Sequence, residues 1–250
     1  MKENLYKYIL TIADNSLILG QRLGELCGHG PNLETDIACT NIALDLLGQA
    51  RNYFQYAAKI KGDDSTEDSI AMLRSEREYL NVLLVEQPNT DFAYIIGRQF
   101  FFDIYHWHFL NALMKSHDVT LAAIANRAIK EVTYHKKFSA DWIRRLGDGT
   151  EVSREKMQSA VNDLWRYTNE FFVQTEFEKE LISEGIAADV SKFKDDYYSE
   201  SSEILTEATL LVPEKSYFQK GGKQGIHTEH MGYLLTELQF MQRTYPNMSW

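Results

Sequence analysis

Two segments of this 250-residue chain set acids and histidines at helical spacing. In AIKEVTYHKKF, Glu131 stands one turn before His135, and in FFFDIYHWH, Asp103 stands three residues before His106. Residues three or four positions apart share one face of a helix, so each pair offers a carboxylate oxygen beside an imidazole nitrogen. Asp45 and Gln49 in NIALDLLGQARN repeat the spacing without a histidine. Carboxylates neutralise and bridge cations, imidazole adds a neutral nitrogen, and such a set leaves positions open for dioxygen. The same residues have a plainer use, because an acid and a histidine on one face also make a buried hydrogen bond or an exposed ion pair. Asp103 is the sharper case: it interrupts an apolar stripe, where an ionised carboxylate is costly unless paired, hydrogen-bonded or bound to metal.

The elements that must position these residues read as helices. Phe92, Ile95, Ile96, Phe100, His106, Trp107, Leu110 and Leu113 recur at i, i+3, i+4 spacing around Asp103, and nothing alternates as a strand would. His106 and His108 lie about 200° apart around such a helix, so they cannot both face one site. Breakers cluster at CGHGPN, KGDDST, EQPNTD and GDGT, with further breaks at SHDV, SEGIAAD, VPEKS and GGKQG, which divides the chain into about eight helices. Ser65, Asp91, Asp118 and Ser153 are the expected N-caps. The expected fold class is all-α: an antiparallel four-helix bundle of helices 4–27, 32–61, 90–116 and 119–146, with segments 153–183, 190–210 and 226–244 packed around it. Residues 1–250 read as a single domain, its core bundle at about 4–147 and its packing helices at about 153–244.

Composition narrows the partners. A formal charge of -10 repels phosphate backbones and anionic lipid, which argues against nucleic acid and membrane surfaces. The densest apolar run, FAYIIGRQFFFDIYHWHFL, is broken by Arg98 and Asp103 and is not a membrane span. With Cys27 and Cys39 alone and no signal-peptide pattern at MKENLYKYIL, a reduced, cytoplasmic protein is expected. GGKQGIHTEHMG offers Lys220, Lys223, His227 and His230 for an anion or a metal, but it lacks phosphate-loop spacing. The plainer reading is a loop leading into a helix striped by Met231, Leu234, Leu235, Leu238 and Met241.

Bundle proteins that hold two irons place one carboxylate on each of two helices and a Glu-x-x-His pair on each of the other two. Here the residue three before His135 is Val132, and the apolar face of the second helix carries Leu46 and Gln49 with no histidine. The stretches QRLGELCGHGP, NIALDLLGQARN, LLVEQPN, DFAYIIGRQFFFD, AIKEVTYHKKFS, WIRRLGDGT and GGKQGIHTEHMG resemble, end to end, the C subunits of bacterial phenylacetyl-CoA 1,2-epoxidases. These belong to the ferritin-like superfamily.

The resemblance implies a ferritin-like bundle related to the di-iron A subunit of those monooxygenases. It places Glu25 and Asp103 at the two single-carboxylate positions, Leu46 and Gln49 in place of the first Glu-x-x-His pair, and Val132 in place of the second pair's glutamate before a retained His135. The implied site is degenerate, with no metal, cofactor or catalytic residue in this chain. Glu25 falls nearly opposite the stripe of Leu5, Ile9, Ile12 and Leu23, so solvent or a partner is the alternative environment. The implied function is a non-catalytic structural subunit that pairs with the di-iron catalytic subunit in aerobic phenylacetate degradation. Its complex would draw electrons from NADPH through a flavin and iron–sulfur reductase. The chain's 14 Tyr, 13 Phe and 4 Trp suit a large apolar interface. Two alternatives stay open: a di-metal oxygenase in its own right, using Glu25, Asp45, Asp103, Glu131, His135 and His106, and a metal-free helical adaptor of another assembly. When isolated, the chain has the further option of a homo-oligomer.

Overall fold

Side-chain caps set most helix starts. The Asn32 carboxamide accepts the Thr35 N–H at 2.9 Å, Asp91 accepts Tyr94 N–H at 2.9 Å, and Asp118 accepts from Thr120 and Leu121. The computed structural model describes residues 1–214 and 217–246, so Lys215 and Ser216 of the VPEKS break lie outside the described residues. Its elements are α1 (Lys2–Gly24), α2 (Leu33–Lys61), α3 (Glu67–Met72), α4 (Phe92–Leu113), α5 (Val119–Gly147), α6 (Glu151–Thr168), α7 (Glu176–Ser183), α8 (Lys194–Glu207), α9 (Glu229–Leu238) and α10 (Phe240–Thr244). The chain is all-α, with the two long-helix hairpins of a ferritin-like protein, α1 with α2 and α4 with α5, and shorter helices after them.

Several expected boundaries differ. Thr66 rather than Ser65 caps α3, and Thr150 rather than Ser153 caps α6; Ser153 instead returns its hydroxyl to the cap backbone as the other half of a capping box. The helix expected over 153–183 is interrupted by a 3-10 turn at Asn169–Phe172. α7 then restarts where the Glu178 carboxylate accepts the Thr175 N–H at 2.7 Å. Similarly, 190–210 begins as a 3-10 turn, and 226–244 splits into α9 and α10 at Gln239. The buried Gln239 side chain donates to the Arg74 carbonyl at 2.8 Å and the Tyr79 hydroxyl at 2.9 Å.

The chain divides into two compact units. The first comprises Met1–Pro88, Thr175–Leu181 and Gly221–Trp250, described to Pro246. Its core lies along the α1–α2 hairpin, where Ile9, Ile18, Leu19, Leu46 and Tyr53 are fully buried. Polar side chains of α1 hold the irregular segment after α3: Asp14 accepts the Leu80 N–H and Asn15 the Val82 N–H, each at 2.8 Å. Glycine is required in the C-terminal GGKQG run. A Cβ at Gly222 would stand 2.0 Å from the Asn81 carbonyl oxygen, and Gly225 combines a φ of +73° with the Arg77 carbonyl 2.2 Å from any Cβ. The run therefore serves close backbone packing.

The second unit comprises Asn89–Gln174 and Ile182–Lys220. Its central helix, α4, is buried on nearly every side and packs against α5, α6 and α8. Aromatic rings fill the space beside it, Tyr105 stacking on Phe171 with centroids 4.3 Å apart.

Candidate functional site, a buried carboxylate on α4

Because α4 is apolar all round, any acid in its middle is desolvated, and Asp103 has no solvent exposure at all. Two neighbours satisfy it. Gln99, one turn earlier on α4, donates from Nε2 to Oδ1 at 2.6 Å, and Ser139 of α5 donates from Oγ to Oδ2 at 2.8 Å. Burial pushes the Asp103 carboxyl up to about 7, against the opposing pull of His135 and the two hydrogen bonds. The buried hydrogen bond expected between Asp103 and His106 is not the one formed. His106 is buried, its Nδ1 has no hydrogen-bond partner, and burial together with nearby His135 pushes its pKa down to about 3. It is therefore neutral at ordinary pH. His108 points elsewhere, as the 200° argument requires: its Nε2 lies 3.0 Å from Glu200 and its ring stacks on Phe193.

Of the positions implied by the resemblance, the structure brings Asp103 and His135 into one electrostatic neighbourhood. Val132, one turn before His135, is fully buried hydrocarbon, and on α2 Leu46 is fully buried while Gln49 is 2% exposed. Glu25 is different. It is the C-cap of α1, exposed, and accepts from Arg22 Nη1 at 3.0 and 3.1 Å. Within the α1–α2 hairpin the α1 residue facing this part of α2 is Gly20, against Leu47 and Ala43, so Glu25 lies beyond the level of Leu46. Asp45 and Glu131, invoked for an active di-metal centre, are only half-buried. Among the described residues no group of three or more His, Cys, Asp or Glu is placed to hold a metal ion. The donor chemistry does not fit two irons: valine and leucine supply no ligand atom where chelating glutamates would compensate the cation charge.

Other buried polar groups have partners that no local spacing marks. Arg74 pairs with Asp14, donating to both its carboxylate oxygens, and stacks over the Tyr79 ring at 4.1 Å. Lys223 is buried 3.0 Å from Glu178, so it is not an anion-docking group with exposed Lys220. His227 donates or accepts through Nδ1 at 2.8 Å from Glu86 and through Nε2 at 2.9 Å from the Tyr79 carbonyl, which assigns it to packing of the C-terminal segment. Gln99 and Ser139 were within reach of sequence reasoning, since each lies one turn from a singled-out residue on the same face.

The chain is a ferritin-like helical protein in which buried Asp103 lies near buried His135 and hydrocarbon fills the positions of Leu46 and Val132. The chain is a member of the phenylacetic acid catabolic protein family, whose model matches residues 1–250. It is 50% identical over 246 residues to the C subunit of the 1,2-phenylacetyl-CoA epoxidase of Escherichia coli (strain K12), an alignment covering 98% of this chain and 99% of that one. Among the described residues no helix is long and apolar enough to cross a membrane.

Proposed function

We propose that this chain is the structural, non-catalytic subunit of a phenylacetyl-CoA-epoxidising complex, acting in the cytoplasm and pairing with a related di-iron catalytic subunit. Residues 1–250 serve as a single domain, and the chain carries no cofactor. Iron resides in the catalytic subunit, and a flavin and iron–sulfur reductase delivers electrons from NADPH. The observation that carries this reading is the full burial of Leu46 and Val132 where a di-iron protein needs glutamates. The relative's name supports the substrate class. What the chain's own residues do is pack. The Ser139 hydroxyl ties α5 to the Asp103 carboxylate of α4, and Gln99 supplies that carboxylate's second donor from within α4.

The test is reconstitution of epoxidation from purified components. The di-iron subunit and reductase are expected to turn over phenylacetyl-CoA only when this chain is added. Turnover by this chain and reductase without the di-iron subunit would contradict the proposal and favour the reading as an oxygenase in its own right.

A further inference from the structure

The outward face of α2 carries apolar side chains left open among the described residues: Ile37 is 50% and Leu44 61% exposed. They belong to a seam of Glu34, Ile37, Asn41, Leu44, Gly48 and Arg51, all exposed and spaced 3, 4, 3, 4, 3. That spacing is the hydrophobic-seam period of helices packed side by side. It also reads the same in both directions. Two copies of the seam laid antiparallel about a two-fold axis between Asn41 and Leu44 set Glu34 opposite Arg51, Ile37 opposite Gly48, and Asn41 opposite Leu44. A Cβ at Gly48 would meet nothing within 4 Å, so the backbone there is open to receive the partner's Ile37. Arg51 keeps 71% exposure despite approaching Glu67 at 3.7 Å, which leaves its guanidinium available.

We infer that two copies of this chain pair antiparallel through the exposed seam of α2, with Ile37 of each seated over Gly48 of the other. The seam from Glu34 to Arg51 spans about 25 Å at the helical rise. The contact is isologous, so every favourable pairing occurs twice. This inference concerns the chain alone and does not depend on its pairing with a di-iron subunit.

Sedimentation equilibrium on the full-length chain at about 50 μM tests it. The wild type is expected to be a dimer, and Leu44→Arg, a substitution at an exposed position, to weaken dimerisation by about 100-fold. Glu34→Arg sets like charges opposite each other and is expected to weaken it about 10-fold, while Glu34→Arg combined with Arg51→Glu restores it. Rescue by the double exchange separates register-specific pairing from misfolding. A monomeric wild type, a dimer indifferent to Leu44→Arg, or a face that binds only the di-iron subunit would each overturn the inference.

Discussion

Replacing Arg74 with methionine is expected to destabilise the first unit by about 3–5 kcal/mol, the usual consequence of stranding a buried charge. Asp14 has no exposure and Arg74 only 9%. The guanidinium donates to both Asp14 oxygens, to the Ile70 carbonyl at 2.6 Å and to the Glu78 carbonyl at 2.8 Å, so it closes the chain after α3 onto α1. Methionine fills the space beside the Phe54 and Tyr79 rings but leaves the Asp14 carboxylate buried with only the Leu80 N–H. Coupling the change to Asp14→Asn removes the stranded charge and is expected to recover about half of the loss. Urea midpoints followed by circular dichroism measure both. A single variant within about 1 kcal/mol of wild type would show that the pair carries little energy.

Asp103→Asn is expected to raise stability at alkaline pH. The sign follows from proton uptake. An unfolded aspartate titrates near its usual value of about 3.9, whereas the folded carboxyl titrates at about 7. Between those values the folded state binds the extra proton, so stability is greatest below about pH 4 and falls as pH rises through 7. By pH 8 the buried carboxylate costs on the order of 2–4 kcal/mol, which asparagine avoids. The asparagine also keeps its partners: Gln99 can donate to its Oδ1. Ser139 Oγ can accept from its Nδ2 while donating to the His135 carbonyl at 3.1 Å. Thermal melts at pH 8 are expected to favour the variant and melts at pH 4 to converge. A variant destabilised at every pH would mean that the carboxylate is needed in its charged form, as a ligand would be.

The contrast between these two sites shows what a one-dimensional pattern carries. The long helices were legible because α4 and α5 repeat their apolar positions over many turns and because Asp91 and Asp118 cap them locally. Asp103 announced itself by interrupting a stripe, whereas Leu46 and Val132 stand out only against the ligand pattern that the resemblance implies. Its true partners were partly legible, since Gln99 shares its helix face and Ser139 lies one turn after His135, but no spacing joins Ser139 of α5 to Asp103 of α4. His106 was the misleading neighbour, close in sequence yet outside the hydrogen bond. The Arg74–Asp14 and Lys223–Glu178 pairs join positions far apart in the chain, as do the Gln239 hydrogen bonds that break the last helix. No spacing rule encodes such contacts. Glu25 was assigned by analogy along the sequence, and its place at the end of α1 moves it to the surface.

The central claim is that this ferritin-like chain no longer holds metal. Elemental analysis of the chain expressed alone in iron-replete medium, repeated after reconstitution with ferrous ion, tests it most directly. The account predicts iron near zero in both samples. A content near two per chain, the complement of a di-iron carboxylate centre, would contradict it and return Asp103 and His135 to the role of ligands.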